Sequence, residues 1–245
     1  MMTLKARAAA LIMAGGLALS AVAASADQTD SAVFDLTIRG ITAGTLSVSG
    51  AISGDQYVVS GVLKSGGLLA FVRKVRYDAR SEGRVADGRF TPARYAEDAD
   101  TGKRQSKAVM AYIDGVPQVT TYDPPRDPRP TDVDPATQDG TIDPLTAIYA
   151  TLRDVPEAEA CNSQRLLFDG RRRSQVTLGA PEASGKGGVS CAGEYRRLAG
   201  FSEREMAEKV SFPFRLIYDP IGDGRLRVRE IVMDTLYGKG RLKRR

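Results

Sequence analysis

The sequence predicts a mainly β protein: a curled antiparallel sheet, or incomplete β-barrel, with one helix packed on the concave face. Apolar and polar residues alternate with period two in several segments, which is typical of half-buried strands. Asp-Gly pairs recur between such segments, and this pair is the strongest short-range signal for a tight hairpin. Only one segment has a clear helical pattern. A parallel sheet of βαβ units needs a helix between successive strands, so that fold is excluded.

The first strands are predicted near the start of the mature chain. Phe34, Leu36 and Ile38 alternate with polar residues, and Leu46 and Val48 do so a few residues later. Each segment therefore has one face for a core and one face for solvent.

Five Asp-Gly pairs mark the turns, at positions 87–88, 114–115, 139–140, 169–170 and 223–224. Four of them lie between strand-like runs: 75–86 and 89–96, 109–113 and 116–122, 166–168 and 176–178, and 214–218 and 226–233. Both central residues of a type I′ turn need positive φ, which Asp and Gly tolerate. Hairpin after hairpin predicts an antiparallel meander.

A helix is predicted over residues 144–152. Asp143 is a suitable N-cap, Pro144 fits the first helical position, and Leu145, Ile148 and Leu152 share one face. We expect this helix to plug or cover one side of the sheet.

A Pro-rich connector at residues 123–135 separates two β-rich halves, because its prolines remove backbone donors that a sheet requires. Such a connector is also a common domain boundary, so two domains are an alternative. A single domain over residues 27–245 is preferred, because one curled sheet built from both halves leaves fewer exposed edges. Residues 238–245 are predicted to form a last strand that frays into a basic end.

Residues 1–26 have the pattern of a secretory signal peptide. Lys5 and Arg7 precede an apolar run at residues 8–23, and Ala24-Ser25-Ala26 is an A-x-A cleavage site. A membrane anchor is the alternative, but the run is shorter than the roughly 20 residues that span a bilayer. We therefore expect an exported, periplasmic protein with no transmembrane segment after cleavage, and a formal net charge that falls from +5 to +3.

Two cysteines, Cys161 and Cys191, remain in the mature chain. In an oxidising compartment an isolated pair is most simply one structural disulfide. A redox role is the alternative, but the C-x-x-C spacing that favours reactive thiols is absent.

Several enzyme classes are excluded by composition. The chain has no His, so neither a Ser-His-Asp triad nor an imidazole zinc site can form. Nucleophile-elbow, S-x-x-K and phosphate-loop motifs are missing. The 30 acidic residues leave a glycosidase-type carboxylate pair open, and Asp132, Asp134, Asp139 and Asp143 form an oxygen-rich cluster without EF-hand spacing. We expect no catalytic residue, no metal and no cofactor.

Candidate ligand-binding residues lie in two places. Residues 66–72 are the most apolar mature stretch and precede Arg73, while a run of arginines follows the fourth Asp-Gly pair. An apolar lip beside cations would suit a lipophilic or anionic ligand, whereas core packing and a solvated strand edge are the alternatives. The candidates are Leu68, Leu69, Phe71, Arg73, Arg171 and Arg173.

These features resemble an exported family catalogued as domain of unknown function 3108. The matching pieces are residues 34–38, 43–44, 66–68, 90–95, 143–147 and 191–201. The resemblance implies an envelope protein of Gram-negative bacteria without an established activity or catalytic residues. At the level of fold, the chain is also similar to periplasmic lipoprotein carriers, whose open β-barrel wraps a helix and encloses an apolar cavity.

The expected function is therefore non-enzymatic binding of a lipophilic or anionic envelope component in the periplasm. The alternative is a structural protein that docks on an envelope protein partner through strand edges or its basic tail. Nucleic acid is not an expected partner, because the net charge is modest and the compartment is exported.

Overall fold

The computed structural model describes residues 27–67, 70, 74–185 and 187–245. The predicted signal peptide lies outside the described residues, as do four of the candidate ligand-binding residues, Leu68, Leu69, Phe71 and Arg73.

Within this described part, fourteen strands form one antiparallel sheet. The strands are β1 (Gln28–Ile38), β2 (Ile41–Ser53), β3 (Gln56–Ser65), β4 (Arg76–Ala86), β5 (Arg89–Asp100), β6 (Gln105–Ile113), β7 (Val116–Asp123), β8 (Val155–Pro156), β9 (Ser163–Phe168), β10 (Arg173–Ser184), β11 (Gly188–Ala199), β12 (Ser211–Gly222), β13 (Arg225–Thr235) and β14 (Gly238–Arg244). Their spatial order is β7-β6-β5-β4-β3-β2-β1-β14-β13-β12-β11-β10-β9, and the short β8 pairs with β13. The predicted mainly β fold is confirmed, and both halves of the chain contribute to one sheet.

Three of the Asp-Gly pairs close two-residue hairpins as predicted. At positions 87–88, 114–115 and 223–224, both residues have positive φ, as a type I′ turn requires. The pair Asp169-Gly170 differs: the Asp169 carboxylate accepts hydrogen bonds from the N–H groups of Arg171 and Arg172, at 2.9 and 2.8 Å. This longer side-chain-supported turn joins β9 to β10.

The sheet is curled but not closed, and the Pro-rich connector bridges its two edges. The hydroxyl of Tyr122, on edge strand β7, donates to the Gly170 carbonyl beside edge strand β9, at 2.9 Å. Further along the connector, Val133 N–H donates to the Arg171 carbonyl at 2.9 Å. Ile142 then forms a parallel bridge with Leu167 of β9. The connector therefore covers the seam of an incomplete barrel.

The predicted helix is present as α1 (Pro144–Leu152) and packs against β3, β4, β5 and β9. Two glycines let it approach the sheet. A Cβ on Gly50 would lie 2.6 Å from the Tyr149 ring, and a Cβ on Gly61 would lie 2.6 Å from Leu145 Cδ1. The helix therefore rests directly on the backbone of β2 and β3.

A second helix, α2 (Glu203–Glu208), was not predicted from the sequence. It begins with a capping box in which Ser202 and Glu205 satisfy each other's backbone N–H groups. The Ser-x-x-Glu signal was present in the sequence, but no apolar run follows it.

The basic tail is a central strand and does not fray. β14 pairs with β1 on one side and with β13 on the other, and the Arg245 N–H donates to the Val33 carbonyl at 2.9 Å. Its outward side chains make ion pairs: Lys239 with Asp234, Arg241 with Glu230, and Arg245 with Asp35. The expectation of a fraying basic end was wrong, because β14 pairs with β1 and with β13 and thereby joins the two halves of the sheet.

The predicted disulfide is also present. Cys161, just before β9, is bonded to Cys191 in β11, and their Cα atoms are 5.8 Å apart. Both residues are buried in the core. The bond therefore ties the segment that follows α1 to the second half of the sheet.

Candidate ligand-binding face

The concave surface of the sheet has two zones that differ in burial. In the covered zone, apolar side chains pack with α1 into one core cluster. This zone includes Phe34, Tyr57, Val59, Tyr95, Met110, Leu216, Tyr218 and Val228, each at most 3% exposed. These side chains hold the helix on the sheet.

The second zone, which we call the open face, consists of seven partly buried apolar residues: Leu36, Ile38, Leu63, Phe214, Ile231, Met233 and Leu242. The strand register brings most of them side by side. Leu36 pairs with Leu242, which pairs with Ile231, while Met233 pairs with Phe214. The open face therefore continues the concave apolar surface toward one end of the curled sheet.

Glycines lie beneath two of these side chains. A Cβ added to Gly240 would lie 3.3 Å from Met233 Cγ, and a Cβ added to Gly193 would meet the ring of Phe214. Met233 and Phe214 therefore lie along the sheet, over neighbouring backbone. Phe214 packs against the core cluster of the covered zone, and both side chains remain partly exposed on the concave surface.

The hairpin between β1 and β2 and the hairpin between β13 and β14 border the open face. The first hairpin ends in Arg39-Gly40 and the second in Leu236-Tyr237. The segment after β3 leaves from the same end, where Gly66 N–H donates to the Ala43 carbonyl at 3.0 Å. The predicted apolar lip thus begins beside the open face, although its residues Leu68, Leu69 and Phe71 are not among those described.

Cations accompany these hairpins. Lys239 makes a 2.8 Å ion pair with Asp234, and Lys209 Nζ lies 4.9 Å from the Phe212 ring. Arg39 and Lys74 are exposed and make no ion pair with any other described residue. This end of the sheet therefore combines an apolar surface with positive charge.

Arg171 and Arg173, the two described candidates for anion binding, lie beside the seam. Arg171 Nε donates to the Asp132 carboxylate at 2.9 Å, and Asp132 also pairs with Arg126 at 3.3 Å. Burial opposes the ionised form of Asp132, but hydrogen bonds from Arg129 N–H and Arg171 outweigh it and lower the pKa of that carboxyl. Arg171 therefore holds the connector in place.

Arg173 begins β10, and its buried Nε has no hydrogen-bond partner among the described residues. A ligand role for either arginine stays a prediction.

The arginines of the earlier strands are dispersed. Arg76 pairs with Asp78, and Arg84 lies 3.4 Å from Asp55. Arg80 and Arg94 share a shallow depression with Glu82. These contacts fit the alternative of a solvated strand surface better than one anion site.

Asp143 is the centre of a buried polar network that sequence reasoning only partly anticipated. Its carboxylate caps α1 by accepting from Thr146 N–H and Thr146 Oγ1, at 2.9 and 2.6 Å, and from Ser81 Oγ at 2.8 Å. The Tyr57 hydroxyl lies 2.7 Å from Thr146 Oγ1. Burial raises the pKa of Asp143 despite these hydrogen bonds. The network anchors the first turn of the helix to β3 and β4.

The other end of α1 is anchored by charge. Asp154 makes a bidentate contact with Arg227, and its backbone N–H donates to Asp30 at 3.0 Å. The Tyr149 hydroxyl donates to the same Asp30 carboxylate at 2.9 Å. Both ends of the helix are therefore fixed to the covered zone.

Comparison with known proteins identifies a family and a similar solved structure, and neither has an assigned activity. Residues 33–182 match the family described as "Protein of unknown function (DUF3108)", a range that excludes the matching piece at residues 191–201. The chain is similar to a solved structure, a β-barrel-like protein of domain of unknown function DUF1849 from Brucella abortus, with 15% identity and a TM-score of 0.46. The similarity covers 88% of this chain and 94% of the other. No curated protein matches. Among the described residues, no helix has the length and apolar character to cross a membrane.

Proposed function

The chain belongs to the DUF3108 family of proteins of unknown function, and we propose that it binds a lipophilic ligand on the open face. The observation that carries this proposal is a difference in burial between neighbouring apolar side chains on one concave surface. Leu216 is fully buried in the covered zone, whereas its neighbour across the strands, Ile231, is only partly buried. A surface of this kind, concave and apolar, is the usual form of a lipid or small-molecule site.

Burial of the open face would be favourable. Removing apolar surface from water contributes about 25 cal/mol per Å², so seven partly exposed side chains offer a useful driving force. A concave surface can cover a flexible acyl chain on several sides. We therefore infer that the lipophilic part of the ligand lies along Leu36, Leu242 and Met233.

The charge nearby suits an anionic head group. Arg39 and Lys74 are exposed at the same end of the sheet, and each could contact a phosphate or carboxylate without breaking an ion pair among the described residues. Lys239, in contrast, would have to leave Asp234. An amphipathic envelope lipid combines both chemistries.

We propose that the function is binding rather than catalysis, in an exported setting. Asp143 is enclosed in its network, fully buried, and so is poorly placed to reach a substrate. A disulfide between Cys161 and Cys191 is in keeping with an oxidising compartment. We propose the periplasm, as the N-terminal sequence predicts.

A fluorescent acyl probe tests this proposal. Met233→Gln should weaken binding of a dansylated fatty acid about tenfold, roughly 1.4 kcal/mol. The matched control is Val232→Gln, because Val232 is the next residue of β13, also partly buried, and lies on the opposite face. We expect the control to bind as the wild type does. No binding by the wild-type chain, or equal loss in both variants, would overturn the proposal.

The alternative, a structural protein that acts through an envelope protein partner, has less support. One of its proposed routes was the basic tail, but β14 is hydrogen-bonded on both sides and its lysine and arginine side chains are largely paired. The route through strand edges would have to use β7 or β9, beside the connector.

A further inference from the structure

Two adjacent hairpin tips expose large apolar side chains beside the open face. Ile41 is 52% exposed, Leu236 is 38% exposed and Tyr237 is 71% exposed. We call these three residues the apolar rim. Clustered apolar residues are rarely this exposed unless their surface contacts a membrane, a ligand or another protein.

The two tips are in direct contact. The Arg39 N–H donates to the Lys239 carbonyl at 2.8 Å, and a Cβ on Gly238 would lie only 2.7 Å from Arg39 Nε. Gly238 has a φ of 109°, which favours glycine, so the second tip can turn beneath the arginine. The two hairpins that carry the apolar rim are therefore adjacent.

Hydrogen bonds also hold the backbone of the second tip in a conformation that leaves Tyr237 exposed. Thr235 Oγ1 accepts a hydrogen bond from Tyr237 N–H at 3.0 Å and donates to the Gly238 carbonyl at 2.7 Å. These bonds fix the backbone on both sides of Tyr237. The outward position of its ring is thus built into the turn.

At the opposite end of the sheet, the exposed apolar residues lie on hairpins that are far apart in the sheet order. Ile113 is 63% exposed and Ile221 is 39% exposed, but they belong to the β6–β7 and β12–β13 hairpins. Seven strands lie between β6 and β12 in the sheet order, so these residues are not neighbours along the sheet. Ile41, Leu236 and Tyr237, in contrast, belong to two hairpins that are adjacent in the sheet order.

We propose that the apolar rim inserts into the interfacial layer of a membrane that contains anionic phospholipids. Protruding aliphatic residues with a tyrosine are suited to the boundary between head groups and acyl chains. Arg39 and Lys74, which form no ion pair among the described residues, complement lipid phosphates. This inference rests on the proposed function in one respect: docking would place the open face at the lipid surface, where an amphipathic ligand can be exchanged.

Flotation with lipid vesicles tests the inference. The purified chain should float with vesicles of phosphatidylethanolamine that contain about one-quarter phosphatidylglycerol, and more weakly with phosphatidylcholine vesicles. The double variant Ile41→Ser with Tyr237→Ser should lower the partition coefficient at least about tenfold, because two exposed apolar anchors are removed. Ile113→Ser is the matched control and should float as the wild type does. Circular dichroism and thermal unfolding establish that each variant is folded.

The outcomes separate this inference from the proposed function. A wild-type chain that binds the acyl probe but no vesicles overturns membrane docking and leaves the open face as a ligand site. Vesicle binding that the double variant retains also overturns it. Vesicle binding that is lost in the double variant but kept in Met233→Gln supports it, whatever the probe shows. Arg39→Gln should weaken binding to the anionic vesicles alone, and equal weakening on phosphatidylcholine would contradict the role of charge.

Discussion

The covered zone and the open face share β1, β3, β12 and β13 but differ in what lies above them. In the covered zone, α1 is fixed at both ends, by Asp143 and by Asp154, and the apolar side chains beneath it are almost fully buried. On the open face, the same inward alternation continues, yet its side chains stay partly exposed. The difference divides these strands into a part that packs under the helix and a part that would be free for the proposed ligand.

Truncation of a leucine in each zone should give the largest difference between them. Leu216→Ala removes a side chain with no exposed surface and should lower the free energy of unfolding by about 3 kcal/mol. Leu242→Ala, on the open face, should cost about 1 kcal/mol, because its side chain is partly in water already. Urea unfolding of both variants measures the difference. Equal losses would mean that the open face is core.

Releasing the first turn of α1 should have the next largest effect. Asp143→Ala removes the N-cap and leaves the hydroxyls of Ser81 and Thr146 without their buried acceptor, so we expect a loss of about 2 kcal/mol. Asp143→Asn keeps one acceptor oxygen and should lose less. Chemical unfolding measures both losses. If Asp143→Ala were as stable as the wild type, the network would not anchor the helix.

The pH dependence of unfolding, a smaller effect, measures how well the tyrosine hydroxyls of the covered zone are buried. Burial raises the pKa of Tyr218 to about 12, and burial followed by the Asp143 carboxylate raises the pKa of Tyr57 further. Unfolded tyrosines titrate near pH 10, so the unfolded chain loses these protons first and the free energy of unfolding falls as pH rises above about 10. Each tyrosine should contribute a slope of roughly 1.4 kcal/mol per pH unit.

The measurement is urea unfolding between about pH 8 and pH 11. Tyr218→Phe should flatten the alkaline decline, although loss of the hydrogen bond to the Ala160 carbonyl lowers stability by about 1 kcal/mol at neutral pH. An unchanged slope in this variant would contradict burial of the hydroxyl as the cause.

Much of the fold could be predicted because its signals are local. Asp-Gly turns, the Asp143 cap and the spacing of Leu145 and Leu152 each depend on a few neighbouring residues, and the structure agrees with them. The disulfide was predicted from the cysteine count and from the expectation of an oxidising compartment. Local chemistry therefore specifies most elements of this chain.

The candidate site was much less predictable, because it depends on register between distant strands. Leu36 and Leu242 are neighbours only because the first and last strands pair, which no local pattern indicates. Arg171 was expected at a ligand site, but its partner Asp132 lies 39 positions away in the connector. The exposure of Tyr237 likewise depends on a turn whose Leu-Tyr-Gly sequence carries no strong signal.

The most direct test of a ligand on the open face is mass spectrometry of an organic extract from the chain purified out of the periplasm. An unrelated exported β protein, Val232→Gln and Met233→Gln should be extracted in parallel. We expect a lipid in near-stoichiometric amount in the wild type and in Val232→Gln, and its depletion in Met233→Gln and in the unrelated protein. A wild-type extract with no lipid above the unrelated protein would contradict it.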